Sequence, residues 1–175
     1  MTPLADSHTL RDGTAIVVRP ISTSDEQRLT RFHESLSAET TRMRFFSVHP
    51  KLSSRETERF TDVDHTDREA WVALVGDDII GVGRYERLAN PDDAEVAFVV
   101  ADRWQGFGVG PILLRQLTDC ARVVGIRRFV AETLAENHHM LDMFAHAGLP
   151  ITRSMTRGVV TVTMALVAAP PESGA

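Results

Sequence analysis

The stretch Trp104-Gln105-Gly106-Phe107-Gly108-Val109-Gly110-Pro111 places three glycines in five positions and then runs into an apolar segment. Glycine has no Cβ, so backbone N–H groups in such a loop can close around an anion, and a helix starting there adds its own unpaired amides and about half a positive charge. The chemistry this suits is a pyrophosphate cradle. A plain strand-to-helix turn uses the same residues. A dinucleotide fold would want the loop after the first strand of a parallel unit, with an acidic residue about 20 positions on. Here it follows the fourth strand of an antiparallel run. Elsewhere, Cys120 sits on the apolar stripe of the helix after the loop and reads as a small core residue rather than an acyl-carrying nucleophile. His138 and His139 are adjacent, so on a helix they point in different directions; without a matching ligand set nearby, no metal is expected. Tyr85, the only tyrosine, falls on the third strand, where packing is favoured over a substrate contact.

The elements that must position these groups follow from periodicity. TAIVVRPI is a β-rich opening strand, and Ser22, Ser24 and Asp25 start a helical pattern through Leu29, Phe32, His33 and Leu36. A second helix is predicted from about Glu39 to Phe46, and Ser53-Ser54-Arg55-Glu56 is a capping box opening a short helix that ends near Asp62. AWVALV and IIGVGRYERL form a hairpin about Gly76-Asp77-Asp78, and AEVAFVV is the next strand. After the glycines, Gly110, Leu113, Leu114, Leu117, Cys120, Ala121 and Val124 recur on one helical face until Gly125. RRFVAETL is a strand, Asn137 to Gly148 bound a helix, and ITRSMTRGVVTVTMAL is a closing hairpin. Pro111 falls in the first helical turn, where its missing N–H costs nothing.

A chain of 175 residues, 43% hydrophobic and 25% charged, is one globular domain, able to bury roughly 70% of its unfolded surface. The formal net charge of −5 argues against general nucleic-acid or membrane-surface binding. The N-terminus lacks a secretory pattern, so a cytoplasmic protein is expected. Residues 1–12 and 168–175 read as flexible ends of a domain covering 13–167.

Gln105-Gly106-Phe107-Gly108-Val109-Gly110 resembles the Gln/Arg-x-x-Gly-x-Gly/Ala acetyl-CoA loop of the GNAT superfamily of N-acetyltransferases, and the strand order agrees. The resemblance covers roughly Ile16 to Leu166, and RYERLANPDDAEVAFVVADRWQGFGVG is especially similar to the catalytic domain of bacterial Pat-type protein lysine acetyltransferases. It implies an α/β (α+β) fold. Helices would flank a mixed, mostly antiparallel sheet of about seven strands, whose fourth and fifth strands splay into a cleft for the pantetheine arm. It also implies acetyl-CoA as co-substrate, with Gln105 to Pro111 as its loop.

A lysine amine has an unperturbed pKa near 10.4, so it must lose a proton before attacking a thioester. The resemblance places the catalytic glutamate at Glu95 and pairs the backbone of Phe98, Val99 and Val100 with pantetheine, one N–H polarising the thioester carbonyl. Asn137 either contacts the coenzyme or caps its helix. Phe144 departs from the family, where many relatives carry a tyrosine that protonates the leaving thiolate. The expected activity is direct acetyl transfer to a lysine on a protein partner, an AMP-forming acyl-CoA synthetase among the candidates. Small amines or antibiotics as acceptors, and a non-catalytic acyl-CoA sensor, are the alternatives. Acidic turns at Asp62-Asp64-Asp67, Asp77-Asp78 and Asp92-Asp93 are expected either to rim the acceptor site or to be ordinary solvated turns.

Overall fold

A computed structural model describes residues 4–45 and 51–166. Phe46, at the predicted end of the second helix, and the tail 168–175 lie outside the described residues. The strands are β1 Asp6–Thr9, β2 Ala15–Pro20, β3 Arg68–Val75, β4 Asp78–Arg87, β5 Asp93–Val100, β6 Arg128–Leu134, β7 Ile151–Thr156 and β8 Val159–Ala165. The helices are α1 Glu26–Ser35, α2 Ala38–Phe45, α3 Ser54–Thr61, α4 Val109–Val123 and α5 His138–Ala145. Together the strands form one sheet of eight in the order β1-β2-β3-β4-β5-β6-β8-β7. All neighbours are antiparallel except β5 and β6.

The sheet has eight described strands rather than about seven, and the extra one, β1, lies inside the segment 1–12 that reads as a flexible end. Its residues, Asp-Ser-His-Thr, carry no apolar alternation. Pairing with β2 in the register Asp6↔Val18 to Thr9↔Ala15 holds it, which is a tertiary cause that a local pattern does not reveal.

Two cores form, one on each face. Val96 and Phe98 of β5 join Leu113, Leu117 and Ala121 of α4, whereas Val72 and Val82 join Leu29 and Phe32 of α1. α4 lies close on β4 because that strand carries glycines beneath it: a Cβ at Gly81 would come within 2.7 Å of Val109 Cγ1, and one at Gly83 within 3.1 Å of Leu117 Cδ1. These glycines fix the height of the helix whose N-terminus forms the site.

Candidate active site

The site begins where a strand pair stops. β5 and β6 pair only through Asp93↔Arg128, Ala94↔Phe129 and Glu95↔Val130, yet β5 continues to Val100 and β6 to Leu134. Beyond Glu95 the strands part. β5 stays bonded on its other side to β4 without a break, from Arg87↔Ala94 to Gly81↔Val100. Ala101 N–H donates to Ile80 O and Leu88 N–H to Asp93 O, so odd-numbered residues of β5 face β4. By strand alternation Phe98 and Val100 present their backbone groups to the open edge, and Val99 does not. The Val100 carbonyl accepts from Gln105 Nε2 at 3.1 Å, which also reaches Thr40 Oγ1 at 3.1 Å. Gln105 thereby ties the loop to β5 and to α2.

The gap opens into a cleft of about 950 Å³ lined by Phe98, Val99, Val100, Gln105 and Gly106, by Val109 to Pro111, and by Asn137. Gly106 (φ +84°) and Gly108 (φ +103°) hold left-handed backbone, and a Cβ on either would meet nothing within 4 Å. Packing therefore does not demand these glycines; the backbone conformation does. Gly108 is the N-cap of α4, and no side chain caps that end, so the first-turn amides are left for a ligand. Gly110 differs: its φ is ordinary, and a Cβ there would press on Met143 Sδ at 2.6 Å. Arg11, which the sequence reading missed, straps the loop: its N–H donates to Phe107 O at 3.2 Å and its guanidinium to Gly106 O at 3.2 Å, and it lines the cleft.

Glu95 sits at the apex where the strands separate, and its side chain is exposed. β5 sends Ala94, Val96 and Phe98 into the core beneath α4, so alternation puts Glu95 on the opposite face, the one covered by α1 to α3. α2 contacts both β5 and β6 there and so bridges the arms of the gap. An ion pair from Arg42 to Glu136 links α2 to the loop after β6.

Other predicted residues fall as follows. Asn137 Oδ1 accepts from Met140 N–H at 3.3 Å, capping α5, while the residue also lines the cleft. Phe144 is 1% exposed and packs on Phe98, with ring centroids 6.1 Å apart; it is a core residue. Tyr85 is buried against Phe129 and donates to Thr66 O, and burial raises its hydroxyl pKa. Burial pushes the Cys120 thiol up to about 11, away from the thiolate a nucleophile needs. His138 and His139 both line the cleft.

Several carboxylates of the acidic turns are engaged within the fold. Asp67 pairs with Arg87 at 2.7 Å, Asp93 with Arg128 at 2.6 Å, and Asp77 with Arg28. Asp64 accepts three backbone N–H groups at 2.9 Å. Asp93 starts β5 at its joined end, away from the opening.

Comparison with known proteins agrees with this geometry. The model of the acetyltransferase (GNAT) family matches residues 30–149. An acetyltransferase of Pseudomonas aeruginosa is 32% identical over 143 residues, 79% of this chain and 77% of that protein. The acetyltransferase Pat of Mycolicibacterium smegmatis is 34% identical over 142 residues, 79% of this chain but only 42% of Pat. The crystal structure of the GNAT domain of S. lividans PAT superposes with a TM-score of 0.88 at 39% identity, covering 94% of this chain and 99% of that one. With its parting strands and glycine loop, the chain belongs to the GNAT family of N-acetyltransferases, which take their acetyl group from acetyl-CoA.

Proposed function

We propose that the protein transfers acetyl directly from acetyl-CoA to the ε-amino group of protein lysines. The observation that carries this reading is the position of Glu95, an exposed carboxylate at the point where β5 leaves β6. The similarity to Pat and to the GNAT domain of S. lividans PAT supports lysine as the acceptor.

The residues fit the donor. Left-handed Gly106 and Gly108 and the uncapped end of α4 suit a pyrophosphate. The unpaired edge of β5 at Phe98 and Val100 suits the amide-bearing pantetheine arm, added like a strand. Acetyl-CoA supplies an activated thioester. The Phe98 or Val100 N–H donates to its carbonyl oxygen, an oxyanion device made of main chain. Glu95, directly or through a water, takes the proton that the acceptor ammonium must lose. Phe144 has no proton to give and is buried, so the departing thiolate takes its proton from solvent. Cys120 is not among the residues lining the cleft, and burial pushes its thiol up to about 11, both of which argue against an acyl-cysteine.

The test is label transfer from acetyl-CoA onto cytoplasmic extract and onto a purified AMP-forming acyl-CoA synthetase, the modified residues being identified by mass spectrometry. Acetyl-lysine on the synthetase, absent with Glu95→Gln, is the expected result. Much faster acetylation of polyamines or aminoglycosides than of any protein would overturn the choice of acceptor.

A further inference from the structure

On the face of β4 and β5 that carries Glu95 lie two arginines that make no ion pair with a carboxylate among the described residues. Arg44, in the last turn of α2, lines the large cleft and also a small cavity of about 30 Å³ behind it, which Arg84 of β4 shares with Ala97 and Val99 of β5. Both side chains are partly buried, and neither is within ion-pairing distance of an acid among the described residues. The residues 46–50 that follow α2 contain no acid at all. Aromatic rings hold the guanidinium groups instead: Arg84 lies 4.4 Å from the centroid of Phe60 and donates to Phe60 O at 3.4 Å, and Arg44 lies 4.8 Å from the centroid of Phe45.

The surrounding charges do not cancel the pair. From α3, Arg59 grips Glu86 of β4 with two bonds of 3.0 and 2.9 Å, so Glu86, whose charge also acts on Arg84, is shared between the two arginines. Arg68 of β3 adds a further positive charge felt by Arg84. On α1, His33 stands against the Phe45 ring, 5.5 Å between centroids, and α2 contributes Glu39 to the cleft wall. Glu95 is the carboxylate whose charge acts on Arg44. Burial lowers the Arg44 pKa and pushes Arg84 down to about 9, with Arg44 adding to the latter; a guanidinium side chain keeps its proton in proteins, so both are cations.

Such an arrangement is expensive, and a transferase has a use for it. The negative charge of Glu95 favours the ammonium form of an arriving amine, which is the unreactive form. We propose that Arg44 and Arg84 offset this and hold the acceptor amine neutral at the mouth of the cleft, making it nucleophilic near neutral pH. This rests on the acetyl-transfer reading above. A third positive charge beside two guanidiniums is disfavoured, whereas a neutral amine is not. The amine gives its proton to Glu95 or to a bridging water, the freed electron pair forms the N–C bond, and the C–S pair leaves with the coenzyme sulfur. At several ångströms, one unit charge in a partly buried site shifts an amine pKa by on the order of one unit.

The experiment is the pH dependence of kcat, which reports groups in the bound complex, between about pH 6 and 10, with saturating acetyl-CoA as donor and saturating poly-L-lysine or butylamine as acceptor. In Arg44→Gln the apparent pKa of the rising limb should move up by about one unit. The variant is then about tenfold slower near pH 7.5 and converges on wild type near pH 10. Arg44→Lys, which keeps the charge, should restore the profile. A uniform loss at every pH, or an unshifted profile, overturns the proposal. Circular dichroism checks folding, and Arg84→Gln repeats the test from the other guanidinium if Arg44→Gln does not fold. Wild-type transfer to no protein lysine, the synthetase included, would sink the transfer reading as well, whereas transfer to these amines with an unshifted variant profile sinks only this inference.

Discussion

The two ends of β5 make opposite use of the same polar chemistry. At the joined end, Asp93 meets Arg128, the Asp92 carbonyl accepts from Arg127 and Arg128 N–H groups, and the backbone is paired on both sides. At the parted end, Phe98 and Val100 face a gap, α4 begins without a side-chain cap, and Arg44 and Arg84 make no ion pair among the described residues. Buried or half-buried polar groups usually find partners, so their withholding within one strand's length marks where a ligand belongs. Glu95 lies on the boundary, paired through its backbone and free through its side chain.

The largest effect should come from that boundary. Glu95→Gln keeps the shape and removes the base, so kcat should fall by about 10²- to 10⁴-fold while acetyl-CoA affinity, measured by calorimetry, stays the same. Near-wild-type turnover across a pH series would take Glu95 out of the mechanism and erase the distinction between the two ends.

Next comes the glycine loop. A valine at Gly108 must hold φ near +103°, a strain of about 1 to 3 kcal/mol, and would carry its side chain into the space left for the pyrophosphate. Gly108→Val should therefore weaken acetyl-CoA binding by about tenfold or more in a protein that still melts cooperatively. Gly81→Val makes the contrast, since its added atoms collide with Val109 at 2.7 Å: there the melting temperature should drop first. Unchanged affinity in folded Gly108→Val would return the loop to an ordinary turn.

These contrasts also show what a sequence displays and what it hides. The glycine loop was readable because its meaning is local: three glycines, a following helix and a preceding strand all lie within one short window. The α3 capping box was readable for the same reason, Ser53 Oγ accepting from Glu56 N–H at 3.2 Å and Glu56 accepting from Ser53 N–H at 2.8 Å. Asn137 could be read as a cap, whereas its place in the cleft wall depends on where β6 ends. Arg11 and the Arg44–Arg84 pair were invisible because each gains its meaning from residues far along the chain: Phe107 for Arg11, Phe60 for Arg84. The acidic turns show the limit from the other side. A run of aspartates looks free in a sequence, but Asp67, Asp77 and Asp93 each find an arginine that is not adjacent.

The joined end should accordingly be dispensable for rate. Asp93→Asn breaks an exposed pair with Arg128 and should lower the melting temperature only slightly. Turnover with a protein acceptor should stay within about twofold, because nothing at this end faces the cleft. A large, salt-dependent rate loss would instead restore the steering role that the sequence suggested for this turn.

The smallest effect concerns Cys120, which separates direct transfer from an acyl-enzyme. Its thiol is partly buried on α4 beside the core, and desolvation, with the nearby charge of Glu69 adding to it, pushes its pKa up to about 11. In an unfolded chain the same thiol ionises near 8.5. A folded pKa above the unfolded value means the contribution to stability is complete below about pH 8.5 and is lost as the pH rises toward 11, because the unfolded state then gains the thiolate first. Cys120→Ser should remove that alkaline loss, leaving a flatter stability profile above about pH 8.5. Direct attack of the amine on the thioester needs no sulfur from the protein, so activity should stay at wild-type level at every pH. Trapping an acetyl group on Cys120 that turns over with the acceptor would refute direct transfer.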